Sequence, residues 1–226
     1  RGRSAAGAGG PGPSAAPPSP HRGRWDRSCR SPHRQFLILL YSNILPLGTE
    51  DDQETIMDCF NEQMKIADRV EIAVGYTSNA SLAELDRLVD ECGISKVCLN
   101  IGMYFIEGMP EGAYHTAIKI NEKWQKSDTG EIRVIKAFKY HGKLFCFYKD
   151  GKPFSAIIGS ANLGVIKLEA SNRRQYEISA ITTTEQEVAE IAEHIEKLKM
   201  QNCSENIALV KNMPLVREVN TALNGI

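Results

Sequence analysis

His141-Gly142-Lys143 and, one hairpin's length later, Gly159-Ser160-Ala161-Asn162 are the stretch on which the reading of this chain turns. A histidine and a lysine two residues apart on a strand point to one face. Gly142 between them leaves room for close backbone approach. Gly159 is expected to end a later strand, and the turn after it presents the Ser160 hydroxyl and the Asn162 carboxamide. Lys149-Asp150-Gly151-Lys152, set between two apolar runs, is a hairpin signal. Such a hairpin returns Ser160 and Asn162 to the His141 end of the ladder. An imidazole, an ammonium and two neutral donors held together can grip a phosphodiester and attack its phosphorus without a metal ion. The same residues also suit a partly exposed polar strand face followed by an ordinary Ser/Asn turn. Spacing alone leaves both readings open.

Outward from this stretch the pattern alternates. Strands are expected at residues 36–41, 70–76 and 97–102, and helices at 51–65, 81–91 and 111–124. A β-rich block follows at 132–138, 144–148, 155–158 and 176–181, then a long amphipathic helix at 185–200. The last 26 residues are weakly patterned, with one short helix expected near 216–223. Strands separated by helices and then a meander predict an α/β fold, a mixed β-sheet flanked by helices on both faces.

Residues 1–35 are a low-complexity arm rich in Gly, Ala, Pro, Ser and Arg, unable to bury apolar surface and expected to be disordered. The abrupt change at Gln35 favours an artefact of the gene start over a phosphate-binding tail. The arm carries seven arginines and one acid, Asp26, so the remainder of this 226-residue chain has seven more acids than bases. A folded body with that balance lacks the broad basic field of a typical nucleic-acid protein, and any such binding must come from a local patch.

Six cysteines (Cys29, Cys59, Cys92, Cys98, Cys146, Cys203) are scattered singly, which reads as free thiols in a reducing cytoplasm. No apolar run approaches the ~20 residues of a membrane span. Residues 36–41 are too short for a signal-peptide core and read better as a buried strand. The sequence holds no P-loop, dinucleotide fingerprint, H-E-x-x-H or clustered carboxylate set, so no metal site and no cofactor are expected. His115 and His194 fall on predicted helices and are expected to be surface or packing residues.

His141-x-Lys143 with Gly159-Ser160-Ala161-Asn162 resembles the HxK…GSxN signature of the phospholipase D superfamily. Glu177 resembles the acid that follows the GSxN turn, although Glu169 competes for that place. Residues 49–52, Val74-Gly75-Tyr76-Thr77-Ser78 and Ile101-Gly102-Met103-Tyr104 are similar to the NgoFVII-type restriction endonucleases, a branch that includes relatives of BfiI. The likeness covers roughly residues 40–200. Two departures accompany it. The Asp that the wider signature places beyond the lysine is here Tyr148, with Asp150 in the predicted turn, and the restriction branch also lacks it. The motif occurs once, as in members that dimerise around one shared centre.

The resemblance implies a phospholipase-D-like catalytic domain over residues 36–200. Residues 201–226 would be an extension or a linker to a DNA-recognition domain. It implies a DNA endonuclease working without metal through a phosphohistidine. His141 would be the nucleophile and its two-fold mate the acid and base. Lys143, Ser160 and Asn162 would hold the non-bridging oxygens, and Glu177 would orient His141. Arg173 and Arg174 are weaker candidates for holding DNA phosphates. Its partners would be DNA and a second copy, with no membrane. A non-specific nuclease of the same superfamily and a non-catalytic dimerisation or nucleic-acid-binding module are the alternatives.

Overall fold

A computed structural model describes residues 37–50, 53–167 and 175–217. In chain order the elements are β1 (Ile38–Tyr41), β2 (Glu54–Thr55), α1 (Ile56–Ile66), β3 (Arg69–Val74), α2 (Asn79–Glu91), β4 (Lys96–Ile101), α3 (Tyr104–Glu107) and β5 (Met109–Pro110). Then come α4 (Glu111–Lys126), β6 (Gly130–Ile135), β7 (Leu144–Lys149), β8 (Lys152–Gly159), β9 (Ile178–Thr182), α5 (Glu185–Leu198), β10 (Ser204–Asn206) and β11 (Leu215–Val216). Among the described residues nine strands form one mixed sheet, in the order β10-β6-β4-β3-β7-β8-β9-β1-β2.

Strands β3, β4 and β6 run parallel, joined by crossovers through α2 and α4. At β7 the sheet turns antiparallel, because Asp150 and Gly151 take positive φ and make a tight hairpin back into β8. Leu144 pairs with Ile158 and Lys149 with Lys152, so the hairpin's open end brings the chain before Leu144 beside the chain after Ile158.

The sheet is covered on both faces, and the period-2 alternation sorts the residues between them. Val70, Ile72 and Val74 of β3, with Phe145 and Phe147 of β7, join the larger core under α1, α2 and α4. Phe60 of α1 sets its ring edge-on to Phe145 and Phe147, at 5.6 and 5.5 Å. Ala73, Leu144, Cys146, Tyr148 and Ala156 face the other way, against Val188, Ala192, Ile195 and Leu198 of α5. Those four α5 positions recur at helical spacing, which is why this acid-rich helix buries one stripe only.

Element boundaries moved for local reasons. The first helix begins at Ile56, not residue 51, because the Thr55 side chain accepts from Asp58 N–H and Glu54–Thr55 pairs with β1. The second begins at Asn79, where Ser78 and Ser81 form a reciprocal capping box. Past residue 200 the chain is still part of the sheet, since β10 pairs with β6. The sheet therefore runs beyond residue 200, where the domain boundary was expected. Val216, where a helix was expected to begin, lies in β11 beside β5. The low-complexity arm and residues 218–223 of that expected helix lie outside the described residues. All described cysteines are free thiols. Among the described residues no helix is long and apolar enough to cross a membrane.

Candidate active site

The parallel strands β3 and β4 end at Val74 and Ile101, at the rim where β7 starts and β8 stops. Open α/β sheets offer their binding crevices at such rims. His141 and Lys143 are not within a strand, as the spacing suggested, but on the extended approach to β7. The reason lies in the neighbour: β3 pairs with β7 only as far as Ala73 opposite Leu144. The approach is held instead by Tyr140 N–H to Gly102 O and by Gly159 N–H to Lys143 O.

Gly142 is required there. A Cβ on it would stand 2.4 Å from the Tyr140 hydroxyl oxygen, so the tyrosine ring props the His-Gly-Lys segment from beneath. Burial pushes the Tyr140 phenol up to about 12, and its hydroxyl has no partner among the described residues.

The two motif side chains meet different surroundings. The His141 imidazole is exposed, whereas Lys143 is buried at 5% exposure. The Lys143 ammonium donates to the His141 carbonyl oxygen at 2.6 Å. Desolvation lowers the lysine's pKa, and the negative charge of Glu177 works against that shift.

Across the rim, Asn162 Oδ1 accepts from Tyr76 N–H at 3.0 Å. That bond fixes the amide's orientation and leaves the Nδ2 hydrogens as what Asn162 can offer an anion. Gly75 lies under both motifs. A Cβ built there would be 3.1 Å from His141 Cδ2 and 3.4 Å from Asn162 Oδ1.

Ser160 donates its hydroxyl to the Glu177 carboxylate and accepts from Ile178 N–H at 3.1 Å. Glu177 is anchored by its own N–H on Ser42 Oγ at 3.0 Å. Among the described residues Glu177 makes no hydrogen bond to His141. Five candidates, His141, Lys143, Ser160, Asn162 and Glu177, thus share one rim of the sheet. Arg173, Arg174 and Glu169 lie outside the described residues. Asp150 sits at the opposite rim in the hairpin turn, and Tyr148 is buried against Arg69. His115 is exposed on α4, and His194 of α5 stacks on Tyr140 at 6.0 Å. Among the described residues no three His, Cys, Asp or Glu side chains are grouped to hold a metal.

Sequence reasoning did not assign a role to Tyr76 or Glu107. The Tyr76 ring stands T-shaped to His141 at 5.9 Å, and its hydroxyl donates to Glu107. The signal for Tyr76 was a glycine-led strand end, Val74-Gly75-Tyr76; Glu107, 31 residues away, left none.

Beside Lys143, a cavity of about 670 Å³ opens between α5 and the β7–β8 end, with Leu37, Ile158 and His194 on its walls. It runs into an exposed apolar row. Ile158, Ala180 and Leu39 pair across β8, β9 and β1, and Ile178 lies on the same face two residues from Ala180. Leu39, Ile158 and Ile178 are each close to half exposed.

The fold has solved counterparts. NucT from Helicobacter pylori is 17% identical, superposes with a TM-score of 0.52, and the match covers 75% of this chain and 98% of that one. Nuc from Salmonella typhimurium, a phospholipase D family member, is 14% identical with a TM-score of 0.50, covering 76% and 98%. Comparison with curated proteins returns no match. The model of the NgoFVII restriction endonuclease N-terminal PLD domain matches residues 54–212, well over half of the chain and every described candidate in the site. The chain therefore belongs to the NgoFVII restriction endonuclease N-terminal PLD domain family, a family of nucleases within the phospholipase D superfamily.

Proposed function

We propose that this chain cleaves DNA phosphodiester bonds as a homodimer, without a metal ion, through a covalent phosphohistidine. The observation that carries this reading is an exposed imidazole at a sheet rim, with a buried ammonium two residues on and the Asn162 amide beside it.

A ring nitrogen of His141 attacks phosphorus, and the P–O bond to the leaving oxygen breaks. The partner subunit's His141, as imidazolium, gives that oxygen its proton. It then takes a proton from water, whose oxygen attacks phosphorus and releases the first histidine as the P–N bond breaks. Splitting one hard displacement into two easier ones is the gain from covalent catalysis. Lys143 from each copy neutralises the non-bridging oxygens, and the Asn162 Nδ2 hydrogens bond them. In the free chain Ser160 is already committed to Glu177. Its role is thus to hold the carboxylate near Lys143, and Glu177 turns to a histidine only in the assembled dimer.

The half-exposed row of Leu39, Ile158 and Ile178 supports the dimer, because it lies on the sheet face next to Ser160 and Glu177. Exposed apolar surface of this kind commonly marks a contact site. A second copy seated there would bring two sites toward one axis. DNA affinity must come from elsewhere than net charge, so a recognition domain or subunit that grips the polyanion fits this reading.

Plasmid cleavage in excess EDTA tests it. The wild type should cut, His141→Ala should not, and a stalled reaction should yield an acid-labile protein–DNA adduct. Cleavage that vanishes with EDTA and returns with Mg²⁺ would overturn the mechanism. A smear in place of discrete bands would mark a non-specific nuclease, and DNA retention without cutting a binding module.

A further inference from the structure

Tyr76 is tied to both motifs at once. Its N–H donates to Asn162 Oδ1 at 3.0 Å, and its ring stands T-shaped to His141 at 5.9 Å with an interplanar angle of 77°. Its far end is also held. The hydroxyl donates to Glu107, whose other carboxylate oxygen accepts from Lys139 Nζ at 3.2 Å. Behind it, Tyr104 sets a second T-shaped contact at 5.5 Å and brackets the Thr77 backbone with its own hydroxyl.

His141, by contrast, has no side-chain hydrogen bond among the described residues. The acid expected to orient it, Glu177, is taken by Ser160. Among the described residues the Tyr76 ring flanks the imidazole and the Gly75 backbone lies beneath it, with the Glu107 charge close enough to act on it.

We propose that Tyr76, braced by Glu107 and Lys139, is a positioning residue that holds the His141 ring in its attacking orientation. This rests on His141 being the nucleophile. The brace is electrostatically sound. The Tyr76 hydroxyl and then Lys139 hold the Glu107 carboxyl below the usual carboxylate range, so it is an anion at neutral pH. Its hydrogen bond in turn pushes the Tyr76 phenol up to about 12, so the phenol stays a donor. At neutral pH the pair therefore keeps its donor–acceptor sense. The proposal gives this assembly no bond to the phosphate, so its loss should slow turnover without weakening DNA binding.

The test uses the full chain labelled with ¹³C-histidine, with the His141 ring signal assigned by its absence in His141→Ala, together with kcat and KM on a short duplex. Tyr76→Leu should shift or broaden the His141 signal, and lower kcat about 10-fold at unchanged KM. Tyr76→Phe keeps the ring and should recover most of that loss. Glu107→Gln keeps the tyrosine but weakens its brace, and should shift the same signal by less. The backbone bond to Asn162 survives in all three. A His141 signal in Tyr76→Leu that superposes on wild type overturns the proposal, as does a loss confined to KM. If the wild type cuts no DNA, the nuclease reading fails, and the ring signal still decides whether Tyr76 positions His141.

Discussion

Lys143 Nζ lies 2.6 Å from the carbonyl oxygen of His141, so the ammonium proposed to meet phosphate is held by the backbone of the residue proposed to attack it. A buried lysine with one neutral acceptor remains under-solvated, and its lowered pKa reflects that burial. A lysine depressed in the fold costs stability whenever it is protonated in both states. The penalty is complete below the folded value and gone above the unfolded one. Lys143→Met should therefore abolish cleavage yet raise the unfolding free energy by ~1 kcal/mol at neutral pH. Urea melts should show the gain shrinking as pH rises through the lysine range. A melt that falls on this substitution would contradict the account.

Gly75 sets how closely His141 and Asn162 approach β3. An alanine Cβ at 3.1 Å from His141 Cδ2 and 3.3 Å from Met103 Cγ forces its neighbours aside by a few tenths of an ångström. Gly75→Ala should lower kcat about 10-fold, with a change in melting too small to explain it. Single-turnover cleavage beside a thermal melt reads both.

The exposed row predicts an oligomeric defect. Ile158→Asp or Ile178→Asp places a charge at a half-exposed sheet position outside the core packed under α5. A lone folded chain tolerates such a surface change within about 0.5 kcal/mol. Light scattering should show dimers becoming monomers, and cleavage should fall with them. Unchanged mass at micromolar concentration would remove this face from the interface.

Glu71 supplies a pH effect remote from the site. It is 4% exposed between Cys98 and Cys146 on neighbouring strands, and burial raises its pKa while Lys199 and Arg69 pull it down. For a carboxyl raised in the fold, the stabilising contribution is complete below the ordinary value of 4.5 and is lost as pH rises through the folded value. Glu71→Gln should therefore flatten the fall in stability between mildly acidic and neutral pH. Denaturation midpoints across that window measure it. An identical slope in both proteins would show that the charges of Arg69 and Lys199 fully offset the burial.

The larger core rests on Phe60, 1% exposed and edge-on to two rings of β7. Phe60→Ala should cost about 3–5 kcal/mol, enough to expose the chain to proteolysis. Pulse proteolysis in urea would register it.

Much of this was legible because the strongest signals are local. Asp150-Gly151 fixes the hairpin, the hairpin fixes the register, and the register returns Ser160 and Asn162 to the His141 rim. The mixed sheet with helices on both faces followed from alternation and helical spacing in the same way, while its phospholipase-D-like character came from the resemblance of the two motifs. What escaped was carried by polar or distant groups. The strand Ser204–Asn206 has no apolar signal: Ser204 hydrogen-bonds Arg133, and Asn206 pairs with Asn121. A helix start displaced to Ile56 depends on which of several polar residues wins the cap. Tyr76 and Glu107 meet across 31 residues, and only the folded sheet brings them together.

The reversal at Asp150-Gly151 lies a full strand's length from Lys143, exposed, with every described candidate residue gathered at the other end of the ladder. A tether, dye or grafted DNA-reading module spliced into that bend would hang clear of the chemistry. This topology thus separates where such a protein can be handled from where it reacts.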